Sequence, residues 1–379
     1  MNEWRPSPAT RASFERLAAA RPRWTQTAPL GALVDLPPAT LLHAGPPFEA
    51  PAEIPEPLLA VAAAAAAREG WRDGPESARG AILAGEIALR PAQDFGVVTP
   101  LAFVVGPGAW CLKAEDGAGL APARIAPLND GPAAVAFRFG RVTPEGEAYC
   151  GSVNMALGPA LAASLTEPVD ILAVMAAGLA GGDDLHGRVT AANAALLDRI
   201  PPLSPDAAAA LRSANQFVLN LLMAGAAQML AAGAGIPGSA LVSAAGGNGR
   251  MFGWRRAGEP ERWIVRPAAP PVGPQSVTDA RPLPAIGDSA VLDACGFGAA
   301  SLRFAPEMLA MLGESAPAVR FGPQAHDAFV GLHPLLPFEA LKLGLDLDSP
   351  AARPGVILAM LDAEGRAGLI GRGVAPWPR

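Results

Sequence analysis

The run FVLNLLMAGAAQMLAAGAGI, residues 217–236, constrains the fold of this chain more than any other stretch. As a helix rising 1.5 Å per residue it would be about 30 Å long, the thickness of a bilayer's hydrocarbon core. Asn220, Gln228 and three glycines interrupt it, and side-chain amides are costly in lipid. The run therefore reads as a helix buried in protein. Upstream, Ser204 is placed to cap and Pro205 to open its first turn; downstream, Gly233 and Gly235 are placed to close it. That predicts one helix of roughly 30 residues, the spine of a helical domain.

Around this spine the pattern changes twice. Residues 9–21 and 57–71 have helix-forming composition, and after Gly85 come short β-branched runs, FGVVTPLAFVVG and AAVAFRFGRVT, separated by Gly, Pro and Asp turns. In the middle, residues 167–180 form a helix with Asp170 as N-cap, and residues 183–200 form another that stops before Pro201. From 236 onward glycine returns, with extended runs such as RWIV and GVILAML. The predicted fold class is α+β and multi-domain: lobes at 1–155 and 236–379 flank a helical middle at 156–235. A chain of 379 residues that is 51% apolar can bury a core of that size, and its 42 glycines and 41 prolines lie between apolar runs, where they mark turns.

Charge and cysteine usage exclude several classes of function. The net charge is −6, no basic block occurs and there is a single tyrosine, so the electrostatic footprint of a nucleic-acid binder is missing. Small polar ligands or other proteins are the expected partners. Cys111, Cys150 and Cys295 are widely spaced and form no C-x-x-C pair, which argues against a disulfide framework or a zinc site and for a reducing compartment. The first residues mix acids and arginines where a secretory signal needs a continuous apolar core. The expectation is a cytoplasmic protein without a membrane span.

Five stretches carry polar groups suited to chemistry. GGDDLHGR (181–188) sets His186, a candidate proton carrier, beside Arg188, a candidate anion clamp; its acids equally suit the cap of the following helix. LNDG contributes Asn129, Asp130 and Gly131, and GGNGRMFG contributes Asn248 and Gly249. Glycines in such turns permit positive φ, so that successive N–H groups can point at one anion, although most turns of this kind only reverse the chain. The second of them lacks the Gly-Lys-Ser/Thr ending of a P-loop. IGDSAVLDACGFGA (286–299) offers Asp288 and Ser289 as caps of the helix that follows, at a helix start where an anion also settles. On the long helix, Arg212, Gln216, Asn220, Ala224 and Gln228 recur at four-residue spacing, polar except for the one alanine. Their amides either bond neighbouring helices or, at Gln216 and Asn220, line a polar pocket.

The order LLHAGPPF (41–48), EGW (69–71), VTPLAFVV (98–105), LNDG, RFG (138–140), GGDDLHGR, NQFVLNLLMA (215–224), GGNGRMFG, RW (262–263) and AIGDSAVLDACGFGA resembles the YlbE-like family. That family includes a subunit of bacterial oxamate carbamoyltransferase. The resemblance spans nearly the whole chain. It implies a multi-subunit enzyme of nitrogen metabolism that converts oxalurate and phosphate to oxamate and carbamoyl phosphate. On that reading the loops at Asn129, Asn248 and Asp288 bind a small anionic substrate such as carbamoyl phosphate, oxamate or phosphate. Arg188 clamps it and His186 moves the proton. No cofactor and no metal are expected; the expected partners are other subunits of the complex, or further copies of the chain. The chain departs from the family at Gln93 and Asp94, where histidines are common, and near the C-terminus, where LAMLDAEGRAGLIGRG replaces a segment with histidine and lysine. These departures favour an alternative, a non-catalytic scaffold or ligand-binding subunit; a third reading is an amidohydrolase acting on a ureido compound.

Overall fold

Ser7 starts the first helix, α1 (Pro8–Ala19): its hydroxyl accepts the Thr10 N–H at 3.1 Å and proline fills the first turn. The structure, a computed structural model, describes residues 4–128, 130–214, 216–315, 327–336, 341–351 and 353–378. Strand β1 (Pro22–Pro29) follows, then β2 (Thr40–His43), buried along its whole length. The alanine-rich α2 (Glu56–Arg68) and α3 (Gly74–Leu83) form the crossover to β3 (Ala88–Pro91), which pairs with β2 in parallel. Next come β4 (Trp110–Asp116), β5 (Arg124–Pro127), α4 (Pro144–Ser152), α5 (Gly158–Ser164), β6 (Val169–Asp170) and α6 (Ile171–Ala180), the last capped by Asp170 as its sequence predicts. The helical middle closes with α7 (Thr190–Leu197), α8 (Pro205–Ser213) and α9 (Phe217–Ala232). The remainder comprises β7 (Val242–Asn248), β8 (Met251–Arg256), β9 (Glu259–Pro267), β10 (Ile286–Gly287), α10 (Ala290–Cys295), α11 (Pro306–Leu312), β11 (Phe329–Leu332), β12 (Lys342–Leu345), β13 (Val356–Leu361) and β14 (Leu369–Ala375).

The fold is α+β. One antiparallel sheet has the order β5-β4-β1-β6, a second has the order β10-β7-β8-β9, and β11-β12 and β13-β14 are separate hairpins. Helix α9 is the hub. It packs against β1, β4, β5, β7, α1, α6, α7 and α10, and every residue in it except Leu219 is buried. The apolar run therefore lies in protein, and among the described residues no helix is long and apolar enough to cross a membrane.

Three local expectations are corrected. The single spine of roughly 30 residues is two helices, α8 and α9, broken at Ala214, whose ψ of 72° leaves the helical region. Asn193 of α7 makes the break possible, because its Oδ1 accepts the Val218 N–H at 3.0 Å and so caps α9 from another helix. The helix expected over 183–200 begins only at Thr190; before it, residues 183–189 form a loop that contains Leu185 at φ +67°. The β-branched runs at 95–106 and 133–143 form isolated bridges, Val97 to Ile125 and Leu42 to Val105, and one 3-10 turn at Phe137–Phe139. Their apolar residues fill the core as loops.

Candidate active site

Glycine lets three distant turns touch. Gly45, at φ +78°, lies so close to the second sheet that a Cβ on it would stand 2.3 Å from the Gly247 carbonyl carbon; one on Gly246 would stand 2.5 Å from Asp288 Oδ1. The carboxylate of Asp288 ties this junction together, accepting the Gly45 N–H at 2.9 Å, the Thr99 N–H at 3.0 Å and Gln93 Nε2 at 2.6 Å. Burial pushes its pKa up to about 7, against the pull of those donors. This corrects the expectation for Asp288: the side chain caps no helix, and α10 has no side-chain cap at all. The acid joins loops from both ends of the chain because Gly45 and Gly246 leave it room.

One residue further on, Ser289 enters a different environment. Its hydroxyl is buried without a hydrogen-bond partner among the described residues, and the residue lines a cavity of about 50 Å³ together with Leu101, Arg138, His186, Gln216, Leu219 and Arg372. A volume of that size holds a few waters or a small planar ligand. Three parts of the chain supply its wall. Leu101 and Arg138 come from the loops after β3, His186 and Gln216 from the helical middle, and Ile357, Leu358, Leu369 and Arg372 from the hairpin β13-β14.

Within this cavity His186 is held by two carboxylates. Asp184 accepts the backbone N–H groups of His186 at 2.8 Å, Gly187 at 2.6 Å and Arg188 at 3.1 Å, which folds residues 184–188 into a tight loop. Asp293 of α10 sits 2.7 Å from His186 Nδ1. A carboxylate accepts, so the contact assigns the ring proton to Nδ1 and leaves Nε2 as the basic nitrogen. The other oxygen of Asp293 accepts Ala299 N–H at 2.9 Å and Ile357 N–H at 3.3 Å, fixing the acid in turn. Gly298 is required beside this pair, since a Cβ there would stand 2.4 Å from Asp293 Oδ1. Among the described residues, two of the three non-glycine residues with positive φ, Leu101 and Leu185, lie in the cavity wall or next to His186. Such strain persists where surrounding structure over-determines the backbone, commonly at functional sites.

Two guanidiniums complete the wall. Arg138 is ion-paired to Asp130, donates to the Gly131 carbonyl at 2.8 Å and packs over the Phe139 ring. Arg372 donates to the Gly187 carbonyl at 3.2 Å and has no carboxylate within ion-pair distance among the described residues. Burial lowers its pKa from the ordinary guanidinium value, and the charge of Arg138 lowers it further while that of Asp184 opposes. A negative ligand would relieve that repulsion. Arg372, Gly187 and Gln216 also border a second, larger cavity of about 510 Å³.

The structure thus brings together His186, Gln216 and Ser289 of the residues singled out by sequence. Asp130 and Gly131 support the wall by anchoring Arg138. Arg188 borders the larger cavity, where Asp183 at 2.5 Å and Glu307 at 3.0 Å engage its guanidinium. Asn248 folds its own turn: its Oδ1 accepts Arg250 N–H at 3.1 Å and Met251 N–H at 2.7 Å, and its Nδ2 donates to Pro46 at 2.9 Å. Gly249, at φ +84°, closes that turn against Pro55. Asn220 Nδ2 binds the Pro127 carbonyl at 2.8 Å in the core. Asn129 lies outside the described residues. Sequence reasoning missed Arg138, Asp293 and Arg372. Asp293 had a signal, an acid inside an apolar helix; Arg372 had none, because its position depends on a hairpin packing against residue 187. Among the described residues no three His, Cys, Asp or Glu side chains gather as a metal site would need.

The model of the family described as oxamate carbamoyltransferase subunit AllG matches residues 87–289, a span that contains Arg138, His186 and Ser289. The chain is 30% identical over 325 residues to the oxamate carbamoyltransferase subunit AllG of Escherichia coli (strain K12), a match covering 80% of this chain and 76% of that protein. It is 27% identical over 245 residues to the uncharacterized protein YahG of the same organism, covering 58% and 52%. The crystal structure of a conserved protein of unknown function from Enterococcus faecalis V583 has the same fold, with a TM-score of 0.90 and 23% identity over 98% of this chain and 94% of that one.

Proposed function

Because the chain belongs to the family of oxamate carbamoyltransferase subunit AllG, we propose that it is one subunit of a carbamoyltransferase complex and that the His186 cavity is its transfer site. The single observation that supports a catalytic role most is the His186–Asp293 pair at 2.7 Å in a cavity that also holds Arg372. The substrates proposed are oxalurate and phosphate, and the products oxamate and carbamoyl phosphate. Phosphate oxygen attacks the carbamoyl carbon, a C–O bond forms, and the C–N bond to the oxamate nitrogen breaks. His186 Nε2 takes the phosphate proton and delivers it to that nitrogen, so charge and protons balance. Arg138 and Arg372 face the negative charge that develops on the carbamoyl oxygen, and Ser289 offers a hydroxyl to the substrate amide. The reaction runs in reverse through the same groups.

The test is carbamoyl phosphate formation from oxalurate and phosphate by the chain together with its partner subunits. His186→Ala should reduce turnover by about 10²–10⁴-fold. An active complex that loses nothing on His186→Ala would remove the cavity from the mechanism. Tight subunit binding without affinity for phosphate, oxamate or carbamoyl phosphate would make the chain a scaffold. Ammonia release from a ureido compound without phosphate dependence would make it an amidohydrolase.

A further inference from the structure

A third cavity, of about 360 Å³, is lined by the C-terminal half of α9 and shares no wall residue with the His186 cavity. Its floor is made of small side chains, Ala227 and Ala231 of α9 with Ala244 of β7, which explains why the space exists. Its walls carry two arginines, Arg124 and Arg255. The Arg255 side chain is 10% exposed and ion-paired to Asp94, yet its Nε has no hydrogen-bond partner among the described residues. Trp263 locks this pair in place: its indole lies 4.3 Å from the guanidinium carbon and its N–H donates to Asp94 Oδ1 at 3.0 Å. Arg124 donates to the carbonyls of Ala123 at 3.0 Å and Pro122 at 3.3 Å, and has no carboxylate within ion-pair distance among the described residues. Burial and the neighbouring charge of Arg255 bring its pKa down to about 10. Two cations thus line one cavity in which Asp94 pairs with Arg255 alone, and the remaining charged wall residue, Glu261, is exposed.

We propose that this cavity binds a small oxyanion, a carboxylate or phosphate group, between Arg124 and Arg255. The planar forks of two guanidiniums match such a group, and its charge removes the repulsion between them. Asp94 and Trp263 hold Arg255 in position before the ligand arrives, and the alanine floor accommodates the rest of the molecule.

The experiment is isothermal titration of the purified full chain with inorganic phosphate and, separately, with oxamate, using the wild type, Arg124→Ala, Arg124→Lys and Arg372→Ala. The expected result is a binding event that Arg124→Ala weakens at least about tenfold and Arg124→Lys partly keeps, separate from any event at the His186 cavity that Arg372→Ala removes. Response to phosphate alone, or to oxamate alone, identifies which oxyanion the cavity takes. Binding of neither, or only binding that vanishes in Arg372→Ala and survives in Arg124→Ala, overturns the proposal. Should Arg124→Ala fail to fold, Arg124→Lys and a crystal structure of the wild type in phosphate decide: no anion between the two guanidiniums refutes it.

Discussion

Gln93 and Asp288 lie 195 residues apart in sequence and are joined by a hydrogen bond of 2.6 Å from Nε2 to Oδ1. The same Nε2 also donates to the Ala245 carbonyl at 3.0 Å, and Gln93 lines the arginine cavity. Asp288 adjoins Ser289, which lines the His186 cavity. One amide and one carboxylate therefore form a rigid bridge between the two cavities, built where glycines let three turns meet. Substitutions at this bridge and at the histidine pair beside it have distinct expected effects.

Asp293→Asn should leave the fold intact while reversing the tautomer of His186, because an amide nitrogen facing Nδ1 donates where the carboxylate accepted. Turnover in the complex should fall by about 10²–10⁴-fold, with a much smaller change in KM. A change confined to KM would mean that Asp293 only shapes the cavity.

Ser289→Ala separates stability from function. The hydroxyl is buried and has no partner among the described residues, so its removal should leave the thermal midpoint unchanged or slightly raised, within about 1 kcal/mol. Substrate affinity should fall. A clear loss of stability in thermal melts, without an effect on binding, would show that the hydroxyl has a structural partner.

Gly45→Ala should be among the most destabilising single substitutions. It combines a φ of +78° with a Cβ only 2.3 Å from the backbone of residue 247, and neither side can yield without opening the junction. A loss of at least about 3 kcal/mol is expected in denaturant titration. A near-neutral result would mean that the loops at 45 and 247 are not in contact.

Stability should fall as pH rises from about 4 to about 7. In the unfolded chain Asp288 titrates near 3.8, whereas burial holds its folded pKa at about 7, so within that window the folded state binds a proton that the unfolded state has lost. The contribution is fully present below the unfolded value and is lost through the folded one, a total of up to about 4 kcal/mol. Asp184, pushed up to about 6 by burial, adds to the same trend. Asp288→Asn should flatten the slope and, at the acid end of the window, lower stability by about 1–3 kcal/mol, because one N–H of the junction loses its acceptor; that deficit shrinks or reverses as pH rises. Melting curves between pH 4 and 8 measure both effects; a slope unchanged in Asp288→Asn would exclude this residue as its source.

Whatever depends on neighbours within about one helical turn is legible in the amino-acid sequence alone. Asp170 accepts Ala173 N–H and Ser204 accepts Ala207 N–H, each three residues on, so both caps can be read from local spacing. The burial of α9 is legible too, because its amides would be costly in lipid and its apolar residues costly in water. Long-range packing supplies the rest. Asp288 finds its donors at residues 45, 93 and 99, and His186 finds Asp293 at a separation of 107 residues. The stop between α8 and α9 is supplied by Asn193 from another helix. A hydrogen bond between distant residues forms only when close packing brings their segments together, and that packing depends on where every other segment goes. Local spacing can name a capable side chain such as His186, but only the assembled core selects its partner.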